Sequence, residues 1–505
     1  MRMKKIILII CILLITALMA MPMLSCNNSN GNNNNANNTD NQNNESQDID
    51  TGNGDMIDEP PKVDALSVLA SLPDEDYGGY AFRILTSNWF NTTLEGRQAP
   101  DEEQTGDLIN DALYIRDRLI EDKYNIQIAY NIIDYDSNKT LSTAQKAIKV
   151  GDDEFDFGMD NMIIFTKGLA QSGMLYDFNE VPNADISKEW WSKYAVRDLT
   201  IDGRFFFPTG DITARYPGSQ YIMLFNKKLF ADMGLPLPYQ TVLDGEWTVD
   251  AFFAIIKDSS RDLDGNGVLG KNDFYGFALE TMTSFCFTHA MGESLVKIVD
   301  GNPVFNVNTD KMVDVMGKLA SVWGDPNYMY YPSGYQVYDE VPVFKEDRAL
   351  FLAMTGSNTS LFKDMESDFG IIPLPKYDAN QEAYYSYCQP WGSAAVNVPV
   401  TNSDIARTGM IIEALAAVGK YISTPAVYDI TLKTKYARDN DSEAMLDIIL
   451  AGSRYDFAFI YDWGGIYNSY VSAINKGENF ISKWESIEGK AQLAMEKTIA
   501  TFMGE

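Results

Sequence analysis

Histidine is almost absent from this chain of 505 residues. His289 stands alone, which removes His-based catalytic triads, His-rich zinc sites and paired-His proton transfer and leaves carboxylate chemistry open. Cysteine is scarce too: Cys11, Cys26, Cys286 and Cys388 show no CxxC spacing, so neither a disulfide framework nor a zinc knuckle is indicated. Cys286 and Cys388 are expected to be buried thiols, with pairing between them as the alternative. Basic residues are outnumbered, 40 against 71 acidic ones, for a formal charge of −31. That balance excludes a general nucleic-acid binder, whose phosphate contacts need clustered Lys and Arg, and it disfavours an anionic ligand. No GxxxxGK[ST] phosphate loop and no tandem repeat occur. What is present suffices for packed cores: 45% hydrophobic and 12% aromatic residues in a chain too long for one core point to two lobes.

At the amino terminus Arg2, Lys4 and Lys5 precede an apolar run over 6–20, and Met23-Leu24-Ser25-Cys26 follows. Residues 1–25 read as a secretory signal peptide whose end resembles the bacterial lipobox, with Met23 in place of the more usual Leu. Cys26 would then carry palmitate as the first residue of the mature chain. An uncleaved membrane anchor is the alternative, and both place the remainder outside the membrane. Residues 26–65, asparagine-rich and then acidic, lack an apolar period, so burial cannot offset the entropy of ordering them. They read as a tether that holds a folded body near a membrane while leaving it free to reorient.

Beyond residue 66 short β-rich runs alternate with helical periods, the pattern of an α/β fold with largely parallel sheets. The spacing predicts strands at 81–85, 126–129 and 155–159 around helices marked by Leu108, Ala112, Ile115 and Leu119 and by 141–150. Strands follow at 221–225, 274–277, 350–354, 369–372 and 394–398. Helices are expected at 228–233, at 248–257 capped by Thr248, and at 311–323; the last third is mostly helical, over 403–422, 425–436, 442–451 and 489–502, and is expected to pack on one lobe. Ligands in such sheets meet the carboxyl ends of strands, which singles out the loops after Leu85 and after Met159.

Several local signatures share one order: 72–80 (LPDEDYGGY), 151–156 (GDDEFD), Trp190-Trp191, 225–230 (FNKKLF), 247–250 (WTVD), 369–375 (FGIIPLP) and 390–393 (PWGS). Together, behind a lipobox and a polar tether, they resemble the extracellular solute-binding proteins of family 1, the maltose-binding-like subunits of bacterial ABC importers, over about residues 72–505. The resemblance implies a two-lobe periplasmic-binding-protein-like II fold with hinge strands, a ligand between the lobes and closure on binding. It implies crossings near 211–221, 350–355 and 392–396, hence one lobe of 66–210 plus 355–392 and another of 211–354 plus 393–505. It further implies a non-enzymatic, monomeric receptor on the extracellular face of the cell membrane, with a sugar or oligosaccharide and ABC permease subunits as partners. A secreted glycoside hydrolase is the main alternative, since abundant Asp, Glu and Trp serve cleavage as well as capture. A surface glycan-binding lipoprotein without a transporter is another.

Sugar recognition sets aromatic faces against C–H surfaces and carboxylates or amides against hydroxyls. Trp89 and Trp391 are the candidate stackers, core packing being the alternative. Asp160, Asn161 and Asp211 are candidate hydroxyl acceptors, or else caps and turns. Trp463 beside Asp462, Tyr216 and Ser357 complete the set, whereas Trp190 and Trp191 fill a lobe core and His289 is structural. A second chemistry sits in 262–273, where Asp262, Asp264, Asn266 and Asp273 occupy positions 1, 3, 5 and 12 of an EF-hand-like loop with Gly267 at the tight sixth and the Val268 carbonyl at the seventh. Asp at the twelfth position supports weak Ca2+ binding in a structural role, with a metal-free Asp/Gly turn as the alternative.

Overall fold

The computed structural model describes residues 64–88, 98–134, 136–214, 216–331, 338–428 and 439–505. The signal segment, Cys26, the tether up to residue 63 and Trp89 lie outside these, whereas Asp64 and Ala65, expected in the tether, cap and open the helix Ala65–Ser71. Nine strands make the two main sheets: β1 (Tyr80–Ser87), β2 (Ile126–Ile133), β3 (Phe157–Asn161), β4 (Tyr221–Asn226), β5 (Tyr275–Leu279), β6 (Met329–Tyr330), β7 (Ala349–Thr355), β8 (Phe369–Ile372) and β9 (Ala394–Asn397).

The first sheet runs β9-β3-β1-β2. β1 is parallel to β2, in register from Tyr80 opposite Ile126 to Ser87 opposite Ile133, and parallel to β3; β9 closes the edge antiparallel, with Ala394 opposite Asn161. Parallel neighbours require helical crossovers, and the sequence supplies them with capped ends. α1 (Leu108–Tyr124) starts where the Asp107 carboxylate accepts from Asn110 N–H and stops at Asn125 in the left-handed region. α2 (Ser137–Val150) starts at Asp136 and stops at Gly151, φ +79°. β3 begins two residues later than the sequence suggests. The reason is local: Asp156 lies fully buried before the strand, accepting from Arg83 N–H at 2.7 Å, so Asp160 and Asn161 become the strand's last residues.

The second sheet runs β6-β5-β7-β4-β8. β5, β6 and β7 are parallel to their neighbours in that trio, while β4 lies antiparallel to both β7 and β8. β4 and β7 are buried along their whole length, which is why 221–226 and 349–355 read as unbroken apolar runs rather than alternating ones. Between the sheets the chain passes through strand-like crossings that pair with one another. Gln220 bridges Cys388, and Ser386–Tyr387 lies parallel to Ser453–Arg454.

Sheet membership corrects the expected lobe division. Residues 369–372 belong to the second sheet as β8, and 394–397 to the first as β9, the reverse of a division that put 355–392 in the first lobe and 393–505 in the second. No crossing occurs at 350–355, because β7 is a central strand bonded on both sides. Of the helical last third, α5 (Ile405–Tyr421) packs on the helix Ala65–Ser71 and on α1. α6 (Asn440–Ala451) packs on β8. α7 (Phe457–Tyr461), α8 (Ile466–Ile474) and α9 (Ile481–Met503) touch both lobes rather than one: Phe502 meets Phe206 at 4.5 Å, and Trp484 meets Phe305 at 4.9 Å. Of the helix expected at 425–436, residues 429–438 lie outside the described ones. Cys286 and Cys388 are separate buried thiols, and among the described residues no helix is long and apolar enough to cross a membrane.

Candidate functional site

The carboxyl ends of β1 and β3 form one edge of the site. Ser87 and Asp160 are fully buried there. Asp160 Oδ1 accepts from Asn161 N–H at 2.6 Å, and the Ser87 hydroxyl lies beside the same carboxylate. Burial raises the Asp160 pKa to about 6, and the bonds from Asn161 together with the nearby Ser87 hydroxyl pull only part of that back. Asn161 is committed elsewhere. Its Oδ1 caps the turn of π-helix 162–166 by accepting from Ile164 N–H at 2.8 Å, and its Nδ2 donates to Ser137 Oγ at 2.8 Å.

The register of β9 brings the loop before it onto the same edge. Met162 N–H donates to Pro390 O at 3.2 Å, so the loop carrying half-buried Trp391 lies against the end of β3. Two residues earlier, Gln389 reaches the other lobe: its N–H donates to Ser219 O at 3.0 Å, and its Nε2 contacts Met282 Sδ at 3.1 Å. Met282 follows β5, whose carboxyl end carries Glu280. Glu280 accepts from the hydroxyl of Tyr221 at the start of β4, and that hydroxyl also lies 3.0 Å from Thr283 Oγ1. Ser357, in the 3-10 helix Gly356–Phe362 that follows β7, backs onto Gly218; a Cβ there would stand 3.2 Å from the Ser357 Cβ. Glu280 was not singled out from sequence, yet the signal was the same as for Asp160: an acidic residue directly after a buried strand.

The remaining candidates go elsewhere. Trp463 is a core residue, 2% exposed; its Nε1 donates to Thr498 Oγ1 at 2.9 Å and its ring stacks on Tyr461 at 5.1 Å. Asp211 and Tyr216 come together in a cavity of about 420 Å³ walled also by Glu189, Tyr421 and Tyr428, which none of the strand-end residues lines. There Asp211 accepts from Thr424 Oγ1 at 2.7 Å, and burial pushes its pKa to about 6. Trp190 and Trp191 are buried, both indoles donating to Glu413 at 3.0 Å. His289 is buried with Nδ1 at 2.9 Å from Phe285 O and Nε2 at 3.2 Å from Asp456.

The loop before β5 draws three carboxylates together: one oxygen each of Asp262, Asp264 and Asp273 lie within 4.8 Å of one another. Asp262 accepts from Gly265 and Gly267 N–H at 2.6 and 2.7 Å, bonds that hold its pKa below the usual carboxylate value. Gly265 and Gly267 have φ of +72° and +81°, a region closed to most side chains. Asp273 is buried and accepts from Leu263 and Gly270 N–H at 2.8 and 2.7 Å, while Asn266 Oδ1 accepts from Val268 N–H at 2.7 Å. The donor set is all oxygen, which suits a hard divalent cation.

The ends of β3 and β5 thus carry the carboxylates Asp160 and Glu280, and the Trp391 loop lies against the end of β3. No family model matches the chain, and no curated protein sequence matches it. Solved structures do. The chain is similar to a cyclo/maltodextrin-binding protein complexed with maltotetraose, over 85% of this chain and 98% of that one, with a TM-score of 0.54 and 14% identity. An ABC substrate-binding protein of Listeria monocytogenes in complex with cycloalternan matches over 84% and 99%, with a TM-score of 0.51 and 14% identity. The galacto-N-biose/lacto-N-biose I-binding protein of a Bifidobacterium longum ABC transporter matches over 85% and 99%, with a TM-score of 0.51 and 13% identity. The fold is therefore the two-lobe periplasmic-binding-protein-like one.

Proposed function

We propose that this chain is the solute-binding subunit of an ABC importer, holding a sugar or oligosaccharide between its lobes and presenting the closed complex to the permease. The reading is supported by the two-sheet fold, with Asp160 and Trp391 at the end of β3 and Glu280 and Ser357 just after β5 and β7, and by similar solved structures crystallised with maltotetraose, cycloalternan and lacto-N-biose. Ligand contacts on both lobes stabilise the closed arrangement over the open one, and differential affinity for the two is what drives closure. Cys26 carries the lipid anchor on the extracellular face of the membrane, and residues 26–65 supply reach. In this reading the first lobe comprises the β1, β2, β3 and β9 segments with α5, and the second the β4–β8 segments with α6.

The 262–273 loop holds Ca2+ through Asp262, Asp264, Asn266, the Val268 carbonyl and Asp273, as a structural brace for the entry into β5. A saccharide screen by thermal shift and calorimetry tests the main reading. Saturable 1:1 binding of a mono- or oligosaccharide without turnover supports it, and hydrolysis of the bound glycoside would replace it with the glycosidase alternative.

A further inference from the structure

A second polar cavity, of about 290 Å³, opens where three parts of the chain meet. Arg197 and Asp198 reach it from the helix Lys193–Leu199 and its first-lobe surroundings, Glu293 and Lys297 from the turn and strand after the helix Thr283–Ala290 of the second lobe, and Arg454 from the crossing strand. Three cations face two carboxylates here, an excess of one positive charge on a chain whose net charge is −31. His289 also lines the cavity, its Nε2 3.2 Å from Asp456 Oδ2.

The two guanidinium groups share one acceptor. Arg197 Nη2 donates to Ser453 O at 3.1 Å, and Arg454 Nη1 donates to the same oxygen at 3.0 Å. Arg197 is closed by Asp198 through two bonds of 2.6 and 2.7 Å, and Lys297 by Glu293 at 2.6 Å. Arg454 instead lies 3.8 Å over the Tyr385 ring, and among the described residues no carboxylate stands within ion-pair distance of it. Burial and the neighbouring Arg197 charge disfavour its cationic form, and Asp198 and Tyr385 offset only part of this.

We propose that this cavity binds a small oxyanion of the phosphate or phosphate-monoester class, with the Arg454 fork as the primary donor and Arg197 as the second. A planar guanidinium matches two oxygens of such an anion at once, and an anion set between two guanidinium groups cancels their mutual repulsion. The acidic surface elsewhere does not oppose this, since charges beyond about 8 Å are largely screened at physiological ionic strength.

The test titrates the intact chain with inorganic phosphate and with glycerol 3-phosphate, against sodium chloride at matched ionic strength, by calorimetry and thermal shift. The expected result is a saturable response to at least one phosphate compound, absent with chloride. It weakens by about tenfold or more in Arg454→Gln, while saccharide binding is unchanged. A response to the monoester alone identifies an esterified ligand, whereas a response to both shows that free phosphate suffices. No saturable response in the wild-type chain overturns the proposal, whatever the variant's folding, and so does equal affinity in a folded Arg454→Gln.

Discussion

Asp160 offers a sharp separation of binding from stability. Its carboxyl is fully buried and its pKa stands at about 6, against 3.8 in an unstrained setting. The sign follows from proton counts. Between pH 3.8 and 6 the native state holds this proton and the unfolded state has released it, so the group's favourable contribution is complete below about pH 3.8 and is lost as pH rises through about 6. A displacement of roughly two pKa units corresponds to about 3 kcal/mol, so at pH 7 the ionised Asp160 destabilises the fold by roughly that amount. Asp160→Asn keeps the shape and an acceptor for Asn161 N–H while removing the buried charge. Denaturant unfolding at a series of pH values is therefore expected to show the variant more stable than wild type by about 2–3 kcal/mol at pH 7, with the difference vanishing near pH 4. The same variant is expected to bind saccharide about tenfold or more weakly, because a charge-assisted acceptor has become a neutral one. A variant that is less stable at pH 7, or whose difference from wild type is flat across pH 4–7, would refute this assignment of a strained, ligand-directed carboxylate.

Three other outcomes are expected. Trp391→Ala lowers saccharide affinity by about tenfold or more with little loss of stability, whereas Trp463→Ala costs about 3–5 kcal/mol of unfolding free energy and leaves the affinity of the folded fraction intact; paired calorimetry and denaturation separate them. Glu413→Ala leaves two buried indole N–H groups without their acceptor and destabilises by about 2–3 kcal/mol, read from denaturant midpoints near pH 5, where the native carboxyl, its pKa raised by burial to about 7, still holds its proton and little ionisation penalty offsets the loss. Chelator lowers the melting temperature of the wild-type chain and added Ca2+ restores it, while Asp262→Ala together with Asp264→Ala abolishes the response; an unchanged melting curve in chelator would remove the calcium brace.

Most strands and helices were legible because their patterns are local. The helix stripe of Leu108, Ala112, Ile115 and Leu119, the Thr248 cap and the apolar run 221–225 each follow from neighbours in sequence, and all three appear in the fold. Lobe membership was not legible, because it depends on pairing across long separations: nothing in 369–372 says that it will bond to 223–226 rather than to the first sheet. The strand-end rule placed Asp160 at the end of β3, where the fold has it, and the same rule applied to Leu279 points to Glu280. Asn161 and Trp463 were drawn off by needs that sequence does not display, one as the cap of a turn and one as the centre of an aromatic stack. Trp190 and Trp191 are buried as expected, both bonded to Glu413, and His289 is buried beside Asp456.

Small-angle scattering on the intact chain, with and without the saccharide that gives saturable heat, addresses the central claim most directly. Two lobes that shut over a bound sugar predict a decrease in radius of gyration that tracks fractional occupancy and that Asp160→Asn shifts to higher saccharide concentration. Full occupancy by calorimetry with an unchanged scattering profile would contradict closure as the basis of recognition.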